Sequence, residues 1–123
     1  MECYLDNSAT TKPCKAAVDA EISALTELYG NPSSLHQKGV DAYMLLEKSR
    51  GTIAASLKAS PDEIYFTPCG TVSNNTAIFG AVDAKKRLGK KIVTTALEHP
   101  SVEKCMERLE ESGFEVVRVQ PQS

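Results

Sequence analysis

Apolar residues recur at helical spacing over two early stretches, and the pattern then changes to short β-rich runs alternating with helices. Within residues 13–29, Val18, Ile22, Leu25 and Leu28 follow at intervals of four, three and three, which predicts a helix with one apolar face. Gly30 occupies the place of a helix C′ residue, and Asn31, Pro32, Ser33 and Ser34 make a turn of strong breakers. A longer helix is predicted over 39–58, with Ala42, Leu46, Ile53 and Leu57 on one face. Gly51 is its weak point, costing up to ~1 kcal/mol relative to Ala. From Ser60 onward the reading is strand 63–67, helix 73–88, strand 91–96, helix 100–112 and strand 114–119. Gly89 and Gly113 stop the two helices, and Pro100 starts the second at N1. This β-α-β-α-β rhythm predicts an α/β fold with parallel strands and right-handed crossovers.

In such sheets ligands gather at the carboxyl ends of strands. The turn Thr67-Pro68-Cys69-Gly70-Thr71-Val72 and the residue His99 each lie just past a strand's predicted end, so both are expected to face one cleft. A small-residue turn opening a helix presents N–H groups without intrahelical partners, and the helix dipole adds positive potential. Gly70 allows close backbone approach to an anion and Thr71 adds a hydroxyl, while Ser73 is an adequate cap for an ordinary helix start. The turn is neither G-x-G-x-x-G nor a P-loop.

Four further blocks surround it: Tyr4-Leu5-Asp6-Asn7-Ser8-Ala9-Thr10-Thr11-Lys12-Pro13, Tyr29-Gly30-Asn31-Pro32-Ser33-Ser34-Leu35-His36, Thr94-Thr95-Ala96-Leu97-Glu98-His99-Pro100-Ser101-Val102 and Gly113-Phe114-Glu115-Val116-Val117. In this order and spacing the chain resembles the amino-terminal third of the cysteine desulfurases, pyridoxal-phosphate (PLP) enzymes of the class-V aminotransferase superfamily. The resemblance implies a truncated, partial fold-type I large domain (three-layer α/β/α, mainly parallel sheet). Residues 1–12 would line the active site, and 13–123 would form the first part of the PLP-binding domain. It also implies that Gly70 and Thr71 hold the cofactor phosphate, and that His99 stacks on the pyridine ring and assists proton transfer. Asn7, Ala9, Thr10 and His36 would fall in the substrate region. The chain departs from the family's Ser-Gly-Gly/Ala-Thr-Glu-Ser turn at Pro68, Cys69 and Val72. Cys69 puts a β-carbon where the family has glycine, which is expected to crowd the turn or force different dihedrals. Val72 replaces a carboxylate.

The remaining composition narrows the picture. A formal charge of −2 gives no case for nucleic acid or an anionic membrane. The basic group Lys85, Lys86, Arg87, Lys90 and Lys91 reads as a solvated helix end. No apolar run reaches the ~20 residues of a membrane helix, and no secretory signal is evident. Cys3, Cys14, Cys69 and Cys105 form no C-x-x-C pair and have no histidine at metal-ligand spacing, so no metal site is expected. Free thiols in a reducing cytoplasm fit best. Cys69 reads as a small filler in its turn rather than a redox centre.

None of the ten lysines sits in the family's Ser-x-His-Lys context of the Schiff-base lysine. By resemblance the whole enzyme would convert L-cysteine to L-alanine and pass the sulfur to an enzyme cysteine, feeding iron–sulfur cluster assembly through an acceptor or scaffold protein. The isolated 123-residue chain is expected to be inactive and to need a homodimer partner or the rest of the enzyme. Two alternatives stay open: a degenerate, non-catalytic binding module, or part of a selenocysteine lyase or another class-V aminotransferase.

Overall fold

The computed structural model describes residues 3–122. Along the chain come α1 (Lys15–Thr26), α2 (Gln37–Leu57), a 3₁₀ turn (Pro61–Glu63), α3 (Gly70–Lys85), β1 (Lys91–Thr95), α4 (Pro100–Glu111) and β2 (Glu115–Val119). They fall into two compact units, divided between Tyr65 and Phe66.

In the first unit α1 ends earlier than its apolar spacing predicts, with Glu27 as C-cap. Gly30 is therefore not a C′ residue; its role is close packing. A β-carbon at Gly30 would lie 2.0 Å from the Lys38 carbonyl oxygen, and one at Gly39 would lie 2.2 Å from the Ser34 carbonyl oxygen. The Asn-Pro-Ser-Ser loop thus lies against the start of α2 with no room for side chains at either glycine. Asn31 Oδ1 accepts from Ser33 N–H at 2.9 Å, and its carbonyl accepts from Ser34 N–H at 2.9 Å, an Asx-type turn. The expected apolar face of α2 is only partly realised. Ala42 and Ala54 are buried, whereas Ile53 and Leu57 remain exposed. Gly51 lies inside an unbroken helix, and Lys58 closes that helix in the left-handed region with φ 55°.

The predicted strand 63–67 does not form among the described residues. Glu63 ends the 3₁₀ turn, and the extended residues after it pair with neither β1 nor β2. Its β-rich composition sets an extended backbone, but a strand also needs a neighbour to hydrogen-bond. Here the Arg50 guanidinium donates to the Ile64 carbonyl instead.

The second unit carries the chain's hydrophobic core. Strands β1 and β2 are parallel, with Ile92 opposite Val116 and Val93 opposite Val117, joined by α4 as the parallel rule requires. Cys105, Met106 and Leu109 of α4 are buried against Ile78, Phe79 and Val82 of α3 and against Ile92, Val116 and Phe114. Gly113 ends α4 as its sequence predicts, at φ 85°. Gly113 N–H donates to Glu110 O at 2.9 Å and Phe114 N–H to Leu109 O at 3.0 Å, the paired bonds of a Schellman close. Arg118 on β2 grips Glu103 and Glu110 of α4, each at 2.7 Å. The basic group after α3 is solvated as expected: Lys86 pairs with Asp83 at 2.8 Å, and Lys91 pairs with Glu115 at 2.6 Å.

Candidate functional site

Helix α3 starts at Gly70, three residues before the expected start, and its N-cap is Cys69 rather than Ser73. Pro68 disfavours helical backbone just before it, and Cys69 is fully extended at φ −165°, ψ 165°. Any residue adopts that conformation, so the β-carbon of Cys69 forces no unusual dihedral. The thiol makes no capping bond to the helix. Ser73 lies four positions past the cap, inside the helix: its N–H donates to Cys69 O at 3.1 Å, the first bond of the helical ladder, and its hydroxyl bonds the Thr67 hydroxyl. The side chain at the N-cap therefore satisfies none of the first N–H groups of α3. A β-carbon at Gly70 would meet nothing within 4 Å, so space lies open beside it. Thr71 is exposed, and its carbonyl accepts from Asn75 Nδ2 at 2.7 Å.

His99 is the N-cap of α4, immediately after the β1 end. Its Nδ1 accepts from Ser101 N–H at 3.1 Å and lies 2.8 Å from the Ser101 hydroxyl. Asn74 Nδ2 donates to that hydroxyl at 2.8 Å, and Ser101 is buried. One turn along, the Cys105 thiol reaches Asn75 Oδ1 at 3.1 Å and Ser101 O at 3.2 Å. Two polar rungs therefore join the starts of α3 and α4, and Gly70, Thr71 and His99 gather at one end of the unit. Thr95 at the end of β1 donates to Glu98 at 2.7 Å, which ties down the loop carrying His99. Burial pushes the Cys105 thiol up, away from thiolate, which suits a packing role.

Sequence reasoning did not find Asn74 and Ser101. The available signal was a serine at a helical position that the spacing of Val102, Cys105 and Leu109 turns toward the core, where a hydroxyl needs a partner.

The other candidates lie in the first unit. Asn7, Ala9 and Thr10 form a self-contained turn: Ala9 and Thr10 N–H both donate to Asp6 O at 3.2 Å, and Tyr4 OH donates to Thr10 O at 2.9 Å. His36 caps α2, its Nδ1 accepting from Gly39 N–H at 3.4 Å. Both histidines of the chain thus begin a helix. Among the described residues no group of acidic, histidine and cysteine side chains has the arrangement of a metal site, and no helix is long and apolar enough to cross a membrane.

A family model described as "Aminotransferase class-V" matches residues 3–123. The chain belongs to that family. It is similar to a "NifS/IcsS protein homolog" of Lactobacillus delbrueckii subsp. bulgaricus, at 49% identity over 116 residues, covering 94% of this chain and 30% of the relative. It is also similar to "Cysteine desulfurase NifS" of Azotobacter vinelandii, at 42% identity over 116 residues, covering 94% of this chain and 29% of that protein. Among solved structures, a "NIFS-like protein" superposes with a TM-score of 0.87 at 37% identity, over 97% of this chain and 33% of that one. "SspA in complex with cysteine" follows with a TM-score of 0.82 at 30% identity, over 94% of this chain and 33% of that one. The chain thus spans about a third of the length of its relatives. The resemblance to the cysteine desulfurases and the partial fold-type I α/β architecture both stand.

Proposed function

We propose that this class-V aminotransferase chain forms the phosphate-binding and ring-side part of a cysteine desulfurase, and is inactive alone. The observation that carries the reading is the uncapped start of α3 at Gly70 and Thr71, hydrogen-bonded through Asn74 and Ser101 to His99. PLP, when bound, supplies the electron sink that the reaction needs. The residues present fit its phosphate end: unpaired N–H groups, an exposed threonine hydroxyl and open space beside Gly70 suit a phosphate. His99 offers an exposed imidazole held firmly by its other nitrogen. Asn7, Ala9, Thr10 and His36 would border the substrate region, with 1–12 as a lining segment and 13–123 as the start of the large domain.

In the complete enzyme L-cysteine would give L-alanine, its sulfur passing to an enzyme thiol as a persulfide. The lysine and the acceptor thiol would come from the remaining two thirds. A homodimer, a sulfur-acceptor or scaffold protein and a cytoplasmic setting belong to the same reading.

Two measurements test it. Phosphate or sulfate at millimolar concentration is expected to move amide signals between Cys69 and Asn75; no shift there sinks the phosphate assignment. PLP with borohydride, followed by intact mass measurement, is expected to leave no stoichiometric pyridoxyl adduct on a single lysine. Such an adduct would refute the claim that catalysis is missing. Val72, where the cysteine-desulfurase resemblance implies a carboxylate, favours a second reading as a non-catalytic module. Supplying residues beyond 123 from a relative separates the two, because only the enzyme reading expects alanine and persulfide to form.

A further inference from the structure

We infer that Asn74 and Ser101 are positioning residues that fix the tautomer of His99, placing its ring proton on Nε2. The Ser101 backbone N–H is a donor only, and it lies 3.1 Å from His99 Nδ1, so Nδ1 must accept. Asn74 Nδ2 is likewise a donor only, and it occupies the Ser101 oxygen at 2.8 Å. That leaves the Ser101 hydroxyl proton to point at Nδ1, 2.8 Å away. The chain of donors runs one way, from amide to hydroxyl to ring. Ser101 is only 7% exposed, and its hydroxyl bonds Asn74 and His99 inside the protein. A neutral imidazole that accepts twice at Nδ1 carries its single proton on Nε2. His99 therefore presents an N–H donor, not a lone pair, on its free side. The functional consequence rests on the reading of His99 as a ring-side residue; the tautomer itself does not.

His36 supplies an internal reference. It is the chain's other histidine and accepts at Nδ1 from the Gly39 N–H through a longer bond of 3.4 Å. A long-range proton–nitrogen spectrum of the labelled chain, at a pH where imidazole is neutral, reads both rings without any cofactor. His99 is expected to show a protonated Nε2 and a bare Nδ1, more strongly biased than His36. Ser101→Ala is expected to lower the tautomer ratio roughly tenfold, the worth of about one hydrogen bond. Asn74→Ala is expected to give a smaller fall in the same direction, and Ser101→Thr to restore the bias. A proton on Nδ1 in the parent chain overturns the inference, as does a ratio unmoved by both alanine variants. Should Ser101→Ala lose its folded amide spectrum, Asn74→Ala decides alone, since it leaves Ser101 in place. A biased ring in a reconstituted chain that makes no alanine would sink the enzyme reading and leave this inference standing; an unbiased ring in an active one would do the reverse.

Discussion

The two units bury different things. In the second, α4 buries Ser101, Cys105, Met106 and Leu109 against α3 and both strands. In the first, α1 buries nothing, and α2 buries only Gly39, Ala42 and Ala54. Yet α1 too carries apolar residues at helical spacing, though in a weaker stripe than that of α4; Ile22 is 54% exposed and Leu25 69%. An amphipathic stripe states what a helix will bury, not that its partner is at hand. For α4 the partners lie within residues 66–122. For α1 they are not among the described residues of its own unit.

The largest expected consequence is association. Large apolar side chains stay exposed in both units, among them Leu25 at 69%, Leu57 at 66% and Val93 at 64%. In the second unit an apolar groove of about 560 Å³ is lined by Ile78, Val82, Ile92, Val93 and Met106. Among the described residues, strands β1 and β2 each keep one edge unpaired. Open edges and apolar patches drive association. Size-exclusion chromatography with light scattering at low micromolar concentration is expected to give a mass well above 13.3 kDa. A monodisperse monomer with one cooperative melt would mean that the first unit is self-sufficient after all.

Single substitutions sharpen the contrast. Leu109, only 4% exposed, touches both strands' layer and α3, so Leu109→Ala is expected to cost about 2–5 kcal/mol. Leu25→Ala, on the uncovered stripe, is expected to change stability by no more than about 0.5 kcal/mol. Urea unfolding followed by circular dichroism measures both. Equal losses would show that α1 is packed in solution.

How much of this could be read from sequence follows the same division. The order of helices, the pairing of β1 with β2 and the Gly113 stop were legible because each rests on local chemistry or on short-range pairing. The strand at 63–67 was not, because its β-rich residues specify an extended backbone and say nothing of a neighbour. Gly30 read as a helix stop because sequence shows which residue lacks a β-carbon, not what would collide with one. His99 was legible as lying just past a strand end and Gly70 and Thr71 as lying at a helix start, although the strand expected before that helix does not form among the described residues. Asn74 and Ser101 were not, since their link depends on how α3 and α4 are turned toward each other.

Glycines give a test of intermediate size. Gly39→Ala would set a β-carbon 2.2 Å from the Ser34 carbonyl oxygen, so the loop must move, at an expected cost of about 1–3 kcal/mol. Gly51→Ala meets nothing within 4 Å in the same helix, and is expected to stabilise by up to about 1 kcal/mol. Thermal melts of the two variants should move in opposite directions. Movement of both the same way would mean that the loop-to-helix contact does not hold the first unit together.

The smallest expected effect is electrostatic and belongs to the second unit. Arg118 donates to Glu110 at 2.7 and 2.9 Å, and these hydrogen bonds hold the Glu110 carboxyl below the usual glutamate range. A carboxyl depressed on folding contributes stability that is complete above its unfolded value, about 4.3, and is lost as the pH falls through the folded value. The pair is open to solvent, so the contribution is modest and salt-sensitive. Urea midpoints measured from neutral pH down to about pH 3 should therefore fall less steeply on the acid side for Arg118→Met than for the parent chain. In the first unit Lys15 and Asp19 make a pair of similar length, 2.6 Å, but within a single turn of one helix and at 86% and 56% exposure. Lys15→Met is expected to leave the urea midpoint at neutral pH nearly unchanged, because that pair is exposed and lies within one helix. If Lys15→Met lowers that midpoint as much as Arg118→Met does, the ion pair between β2 and α4 adds no more in solution than an exposed pair within one helix.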